Sequence, residues 1–320
     1  MVDQVALLRP VPPYDFELSA RIFADGDESF RSYKDGTFSH VIRGSRGLAL
    51  CRVSSTGSVD SPELRLSTQL HRGGRSGAGE MVGKVRTLLN LDLDLRPFYK
   101  MAAKDRVLST LTHGLRGLKS PTTGTVFEAL IDSIVEQQIS LNVARTFELR
   151  LIKKYGETLR IGGSTYYAFP LPEALAETEP GDLRGLGLNT RKAEYVRDIA
   201  KAVASGDIDL EGLRNARNAE KVIQELTSLR GVGRWTAELV MIRGMARFEA
   251  VPADDLGVRR SISRLFFKGR PATADMVRDL ANGWGNWRGL AAFYVIVADL
   301  YGMDLRQRGG SDGRESKRSK

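Results

Sequence analysis

Residues 229–260 read LRGVGRWTAELVMIRGMARFEAVPADDLGVRR, and this stretch decides how the chain is read. Gly231 and Gly233 flank Val232, so the backbone turns there with no Cβ in the way. The segment from Thr236 to Ile242 has the apolar spacing of a helix that buries one face. A helix starting at such a turn leaves its first N–H groups without partners, and a phosphate accepts from them. Arg234 adds a positive charge at the same mouth. The hairpin therefore reads as a clamp on a nucleic-acid backbone, indifferent to base sequence. Downstream, Asp254 and Asp255 follow Pro252 and open a basic helix at Leu256-Gly257-Val258-Arg259-Arg260. A helix N-terminus favours an ionised carboxylate, which suits stabilisation of a developing positive charge. Plain helix capping is an equally ordinary use of aspartate at that position.

This run resembles the helix-hairpin-helix DNA glycosylase superfamily, and within it the AlkA-type 3-methyladenine DNA glycosylases. It matches the hairpin pattern L-x-G-x-G-x-x-T-A and the loop pattern P-x-x-D-L-G-[VIL]-[RK]. Phe127-Glu128-Ala129-Leu130 and Glu136-Gln137-Gln138-Ile139-Ser140 resemble the first helix of the catalytic domain and its DNA-wedging turn. Leu183 to Leu188 with Arg191-Lys192-Ala193 resemble a small loop beside the hairpin, and Trp287-Arg288 also fits. The matches run from about Asp92 to about Tyr301.

The resemblance implies a monofunctional glycosylase that hydrolyses the N-glycosidic bond of alkylated purines, chiefly 3-methyladenine and 7-methylguanine, in duplex DNA. Breaking that bond builds positive charge on the sugar, and the family's carboxylate directly precedes the Leu-Gly pair, which points to Asp255. Asp254 is left as a cap or supporting group. Relatives that also nick the strand carry a lysine where Trp235 stands; tryptophan forms no Schiff base, so water is the expected nucleophile and an abasic site the product. Trp235 is assigned to the base pocket, stacking on a cationic purine, with a core tryptophan anchoring the hairpin as the alternative. Ile296 falls where several relatives place a pocket aromatic. A flipped base leaves a gap in the stack; Gln138 is the expected wedge and Gln137 its neighbour, against the reading of polar residues at a helix end. Gly231, Gly233, Arg234 and Thr236 complete the expected DNA contacts. No cofactor is required, although relatives hold an alkali-metal ion, Na+ or K+, through hairpin carbonyls matching Thr227, Leu229 and Val232. Two alternatives stand beside this function: a glycosylase for deaminated bases such as hypoxanthine, and a non-catalytic helix-hairpin-helix DNA-binding protein.

Bulk composition agrees with a polyanionic partner. Lys and Arg number 48 against 39 Asp and Glu, a net charge of +9 over 320 residues. Cys51 is the only cysteine, which excludes an intrachain disulfide and a four-cysteine iron–sulfur cluster. His40, His71 and His113 show no metal-ligand spacing. The N-terminus has neither a basic start nor an apolar core, and no apolar run reaches membrane-spanning length. An intracellular monomer is expected, cytoplasmic or nucleoid-associated, with damaged double-stranded DNA as its partner.

The fold class is read as α+β: a small N-terminal antiparallel sheet-and-helix domain over residues 1–95, then an all-α helix-hairpin-helix domain over 96–305. Short apolar runs at Phe38 to Arg43 and Leu48 to Val53, separated by Gly44 and Gly47, and Leu64 to Leu66 read as antiparallel strands, with tight connections at Asp35-Gly36 and Arg46-Gly47. A flexible Gly/Arg loop at 72–79 precedes a helix from Val82 to Leu91. Leu290 to Leu300 is apolar nearly all round, the mark of a central helix. Residues 306–320 contain no apolar side chain and are expected to be disordered, a solvated terminus or a weak electrostatic tether.

Overall fold

The computed structural model describes residues 3–24, 26–70 and 78–303. The expected loop at 72–79 falls largely, and the tail at 306–320 wholly, outside these residues. The N-terminal part contains β1 (Asp3–Leu8), α1 (Phe16–Phe23), β2 (Arg31–Lys34), β3 (Thr37–Gly44), β4 (Gly47–Ser55), β5 (Leu64–Leu70) and α2 (Ala78–Leu88). Its strands form one antiparallel sheet in the order β1-β5-β4-β3-β2. The β2–β3 connection is Asp35-Gly36, both at positive φ, as a two-residue turn matched to strand twist requires. Strict alternation places Leu64, Leu66 and Leu70 of β5 against α1 and α2, with Phe38, Cys51 and Val53. β1 and β2 go beyond the strands read from sequence. β2 is four residues long, and β1 is completed only by pairing with a strand some sixty residues later.

The remainder is helical: α3 (Arg96–Ala102), α4 (Arg106–Gly114), α5 (Val126–Glu136), α6 (Leu141–Tyr155), α7 (Pro172–Ala176), α8 (Pro180–Arg184), α9 (Thr190–Ala204), α10 (Ala219–Thr227), α11 (Arg234–Met245), α12 (Leu256–Phe266), α13 (Ala274–Asn282) and α14 (Arg288–Leu300). A hairpin, β6 (Thr158–Ile161) and β7 (Ser164–Tyr167), interrupts them at Gly162-Gly163. A helical periodicity reading passes over this hairpin. Leu159 and Ile161 cover Val41, Leu48 and Leu50 on the outer face of the N-terminal sheet.

Two helical cores meet at α11. One gathers residues of α5, α6, α9 and α10; the other gathers α3, α4, α12, α13 and α14. The sequence suggests that α11 buries one face, but residues 236–242 are all buried, because the helix serves both cores. α11 is thus fixed on all sides, and its N-terminus emerges with little freedom to move. Arg31 of β2 joins the two parts of the chain: its guanidinium lies 3.3 Å from Glu128 of α5, with both side chains buried, and packs over the Phe23 ring. Burial makes such a pair costly to split from one side.

Candidate active site

Asp255 is the N-cap of α12. Its Oδ1 accepts the Val258 N–H at 2.9 Å, which satisfies one of the donors that open a helix. Its Oδ2 accepts the indole Nε1–H of Trp235 at 3.1 Å. Capping and the proposed chemistry are therefore compatible in one carboxylate: one oxygen fixes the helix start while the other is aimed by the indole. The group is half-buried. The next residue, Leu256, is 77% exposed and lays an apolar surface beside it. Asp254 is exposed and ion-paired with Arg278 of α13 at 2.5 Å, so it supports the loop and does not cap the helix.

Trp235 belongs to neither helical core. The ring is half-buried, with its polar edge held by Asp255. Ile296 is half-buried on α14 and packs on the second core.

At the hairpin the two glycines differ. Gly231 has φ +89, and a Cβ there would lie 2.2 Å from the Tyr195 ring. Gly233 has an ordinary extended φ of −91 and open space around it. Only Gly231 is demanded by the turn itself. Gly233 caps α11 without a side-chain bond, so the first N–H groups of the helix remain available to an external acceptor.

The expected DNA contacts divide. Gln138 is exposed, with φ +58, beyond the end of α5. Gln137 instead ties α5 to the hairpin, its amide donating to the Gly231 carbonyl at 2.9 Å and to Thr236 Oγ1 at 3.1 Å. The Thr236 side chain is buried and accepts this internal bond from Gln137. Arg234 is half-exposed, but its guanidinium binds Glu220 through two nitrogens, at 2.9 and 3.1 Å, and Glu238 through a third at 3.1 Å. A phosphate reaching Arg234 competes with two carboxylates.

Thr227 ends α10, and Leu229 and Val232 follow in the turn, where the Leu229 carbonyl accepts the Val232 N–H at 3.1 Å. These carbonyls lie at a helix end, where acceptors lack helical partners. Carbonyl oxygens are hard donors of the kind an alkali-metal ion takes. Among the described residues no cluster of His, Cys, Asp or Glu has the makings of a metal site. A cleft of about 970 Å³ between β3, α2 and α5 has neither Asp255 nor Trp235 in its walls.

Glu238 is a site residue that the sequence reading passed over. It stands one helical turn after Trp235, its side chain is buried, and Oε2 has no hydrogen-bond partner. Burial pushes its carboxyl up to about 7, with Arg234 and Arg278 opposing the shift. The signal was a charged residue inside an apolar helix. The folded chain holds this proton more tightly than the unfolded chain, so the stabilisation is present below about pH 4.5 and lost as pH rises through about 7. Glu238→Gln keeps the shape and removes the charge. Its melting temperature should gain on the wild type as pH rises from 5 to 7.5 (on the order of the window set by those two values). Parallel curves for the two proteins would refute the assignment.

Comparison with known proteins places this geometry. Residues 131–286 match the model of the HhH-GPD superfamily base excision DNA repair proteins. A DNA-3-methyladenine glycosylase of Bacillus subtilis is 34% identical over 218 residues, covering 68% of this chain and 71% of that protein. DNA-3-methyladenine glycosylase 2 of Escherichia coli is 27% identical over 300 residues, 92% of this chain and 97% of that protein. The solved 3-methyladenine DNA-glycosylase from Archaeoglobus fulgidus superimposes with a TM-score of 0.81 at 26% identity, covering 92% of this chain and 99% of that one. On its sequence, its fold and its hairpin, the chain belongs to the HhH-GPD superfamily of base excision DNA repair proteins.

Proposed function

We propose that the chain is a monofunctional DNA glycosylase that excises alkylated purines, 3-methyladenine and 7-methylguanine, from duplex DNA by hydrolysis. The bond between Trp235 Nε1 and Asp255 Oδ2 carries the reading. It presents an oriented carboxylate beside a half-buried indole, at the position where strand-nicking relatives carry a lysine. An alkylated purine is cationic and already a good leaving group, so the enzyme must chiefly stabilise the positive charge on the departing sugar. Asp255 does this electrostatically, held before the reaction begins. The indole face attracts the cationic base, and the exposed Leu256 offers the nucleotide an apolar contact. Water then captures the sugar. The start of α11, where Gly233 offers no side-chain bond, grips a phosphate through its N–H groups, and Gln138 enters the gap left by the flipped nucleotide.

An alkali-metal ion on the carbonyls of Thr227, Leu229 and Val232 would add positive charge behind this clamp and favour phosphate binding. The similarity to proteins named 3-methyladenine glycosylases favours alkylated bases over hypoxanthine and over a non-catalytic binder. The test is release of free base from a panel of duplexes holding one alkylated, deaminated or oxidised base each. Release of the alkylated purines first supports the proposal; preference for an oxidised base, or no release at all, contradicts it.

Trp235→Phe separates the two roles of the indole. It keeps an aromatic face but removes the N–H that aims Asp255. A hydrogen bond to a charged group contributes about 1.5–3 kcal/mol, and losing part of it should slow single-turnover release about tenfold. DNA affinity should hold. A loss confined to affinity would show that the indole only binds.

A further inference from the structure

α5 ends in three residues tied to other elements, followed by one residue that is free. Glu136 meets Arg243 of α11 at 2.7 Å. The Gln137 amide is bonded to Gly231 and Thr236, as described above. The third tie comes from Lys192, in the first turn of α9. Its Nζ donates to the Val135 carbonyl at 2.7 Å and, in a shorter contact, to the Gln137 carbonyl. Then comes Gln138, exposed and left-handed at φ +58.

The Lys192 contacts do more than cap a helix. A cation at a helix C-terminus satisfies carbonyls that lack helical partners and complements the helix dipole. Most lysines do this from solvent, whereas Lys192 is 6% exposed. Burial draws its ammonium below the usual lysine range, so keeping it charged there has a cost. A left-handed conformation at a residue other than glycine also costs about 1–3 kcal/mol, and persists where the surroundings over-determine it. Both costs fall on the same four residues, and both fix the position from which Gln138 projects. The bonds of Gln137 couple that position to the hairpin, so the wedge and the backbone clamp form one rigid unit.

We propose that Lys192 is a positioning residue for base extrusion: by holding the carbonyls of Val135 and Gln137, it presents Gln138 to the duplex already in its inserting geometry. The proposal rests on the glycosylase reading above. A paired lesion must be extruded against pairing and stacking, which a wedge assists; an unpaired lesion in a bulge needs far less help. Asp255 and Trp235 serve both substrates alike.

The experiment compares base release from 7-methylguanine paired with cytosine and from the same base unpaired in a one-nucleotide bulge. Lys192→Met keeps the length of the side chain and removes the donor. Release from the paired substrate should slow about 10–100-fold, as a displaced catalytic geometry does, while release from the bulge changes little. Gln137→Leu cuts the tie to the hairpin and should show the same selective loss, so it carries the test if Lys192→Met does not fold. Equal losses on both substrates would make Lys192 a support of the fold or the chemistry and overturn the proposal. No loss on the paired substrate would overturn it as well. If the wild-type chain releases base from neither substrate, the glycosylase reading itself fails and the positioning role falls with it.

Discussion

Asp255→Asn is expected to lose about 10³-fold or more in single-turnover base release, the loss of roughly 4 kcal/mol of transition-state stabilisation. The change removes the charge that faces the sugar and leaves the size intact. Asparagine caps a helix about as well as aspartate, so α12 should still begin at Leu256. Aspartate, however, offers one oxygen to Val258 and the other to Trp235; asparagine has a single oxygen and serves only one of them. A stability loss of about 1 kcal/mol should therefore accompany the catalytic loss. Affinity for lesion DNA should hold. Asp254→Asn loses only a surface ion pair with Arg278, for which roughly 0–1 kcal/mol is typical, and should retain most activity. A reversed order of the two variants would move the chemistry to Asp254.

Gly231→Ala should be the most damaging small substitution in the hairpin. Alanine tolerates φ +89 poorly, and its methyl would enter the Tyr195 ring, which is itself covered by the Arg230 guanidinium at 5.2 Å. Strain and overpacking together predict a loss of about 3 kcal/mol, or a fall in Tm of about 6–10 °C. The Gly231 carbonyl also receives the Gln137 amide, so any shift of the turn reaches the wedge. Gly233→Ala meets open space, and its melting temperature should stay close to that of the wild type. Thermal unfolding of the two variants checks the contrast; equal losses would contradict the different roles given to the two glycines.

What was legible in the sequence was local. Gly231, Gly233, Pro252 and Asp255 lie within 25 residues of one another, and their turn and cap preferences act over three or four residues, so the hairpin and the acidic loop can be read from order alone. The strands β3 and β4 were legible because they are short apolar runs bounded by glycines and joined by a tight turn. The illegible parts depend on partners far along the chain. Gln137 and Gln138 are neighbours of one chemistry, and only the fold, which brings Gly231 next to Gln137 across 94 residues, separates their roles. Arg234 resembles a free phosphate ligand until α10 brings Glu220 against it. The bond between Trp235 and Asp255 spans 20 residues and two helices, and no periodicity encodes it. Lys192 reads only as part of the segment beside the hairpin, because nothing in its own helix announces that the end of α5 lies over it.

In the mechanism proposed above, Asp255 and water, with no amine at the sugar, release the base. The most direct measurement is product analysis on a 7-methylguanine duplex, with borohydride present in a parallel reaction. The expected products are an abasic site in an unbroken strand, cleaved only after hot alkali, and no protein trapped on DNA, because Trp235 occupies the lysine's position and forms no imine. A borohydride-trapped complex, lost on replacing a single lysine, would contradict the claim and assign the chain to the strand-nicking branch of the superfamily.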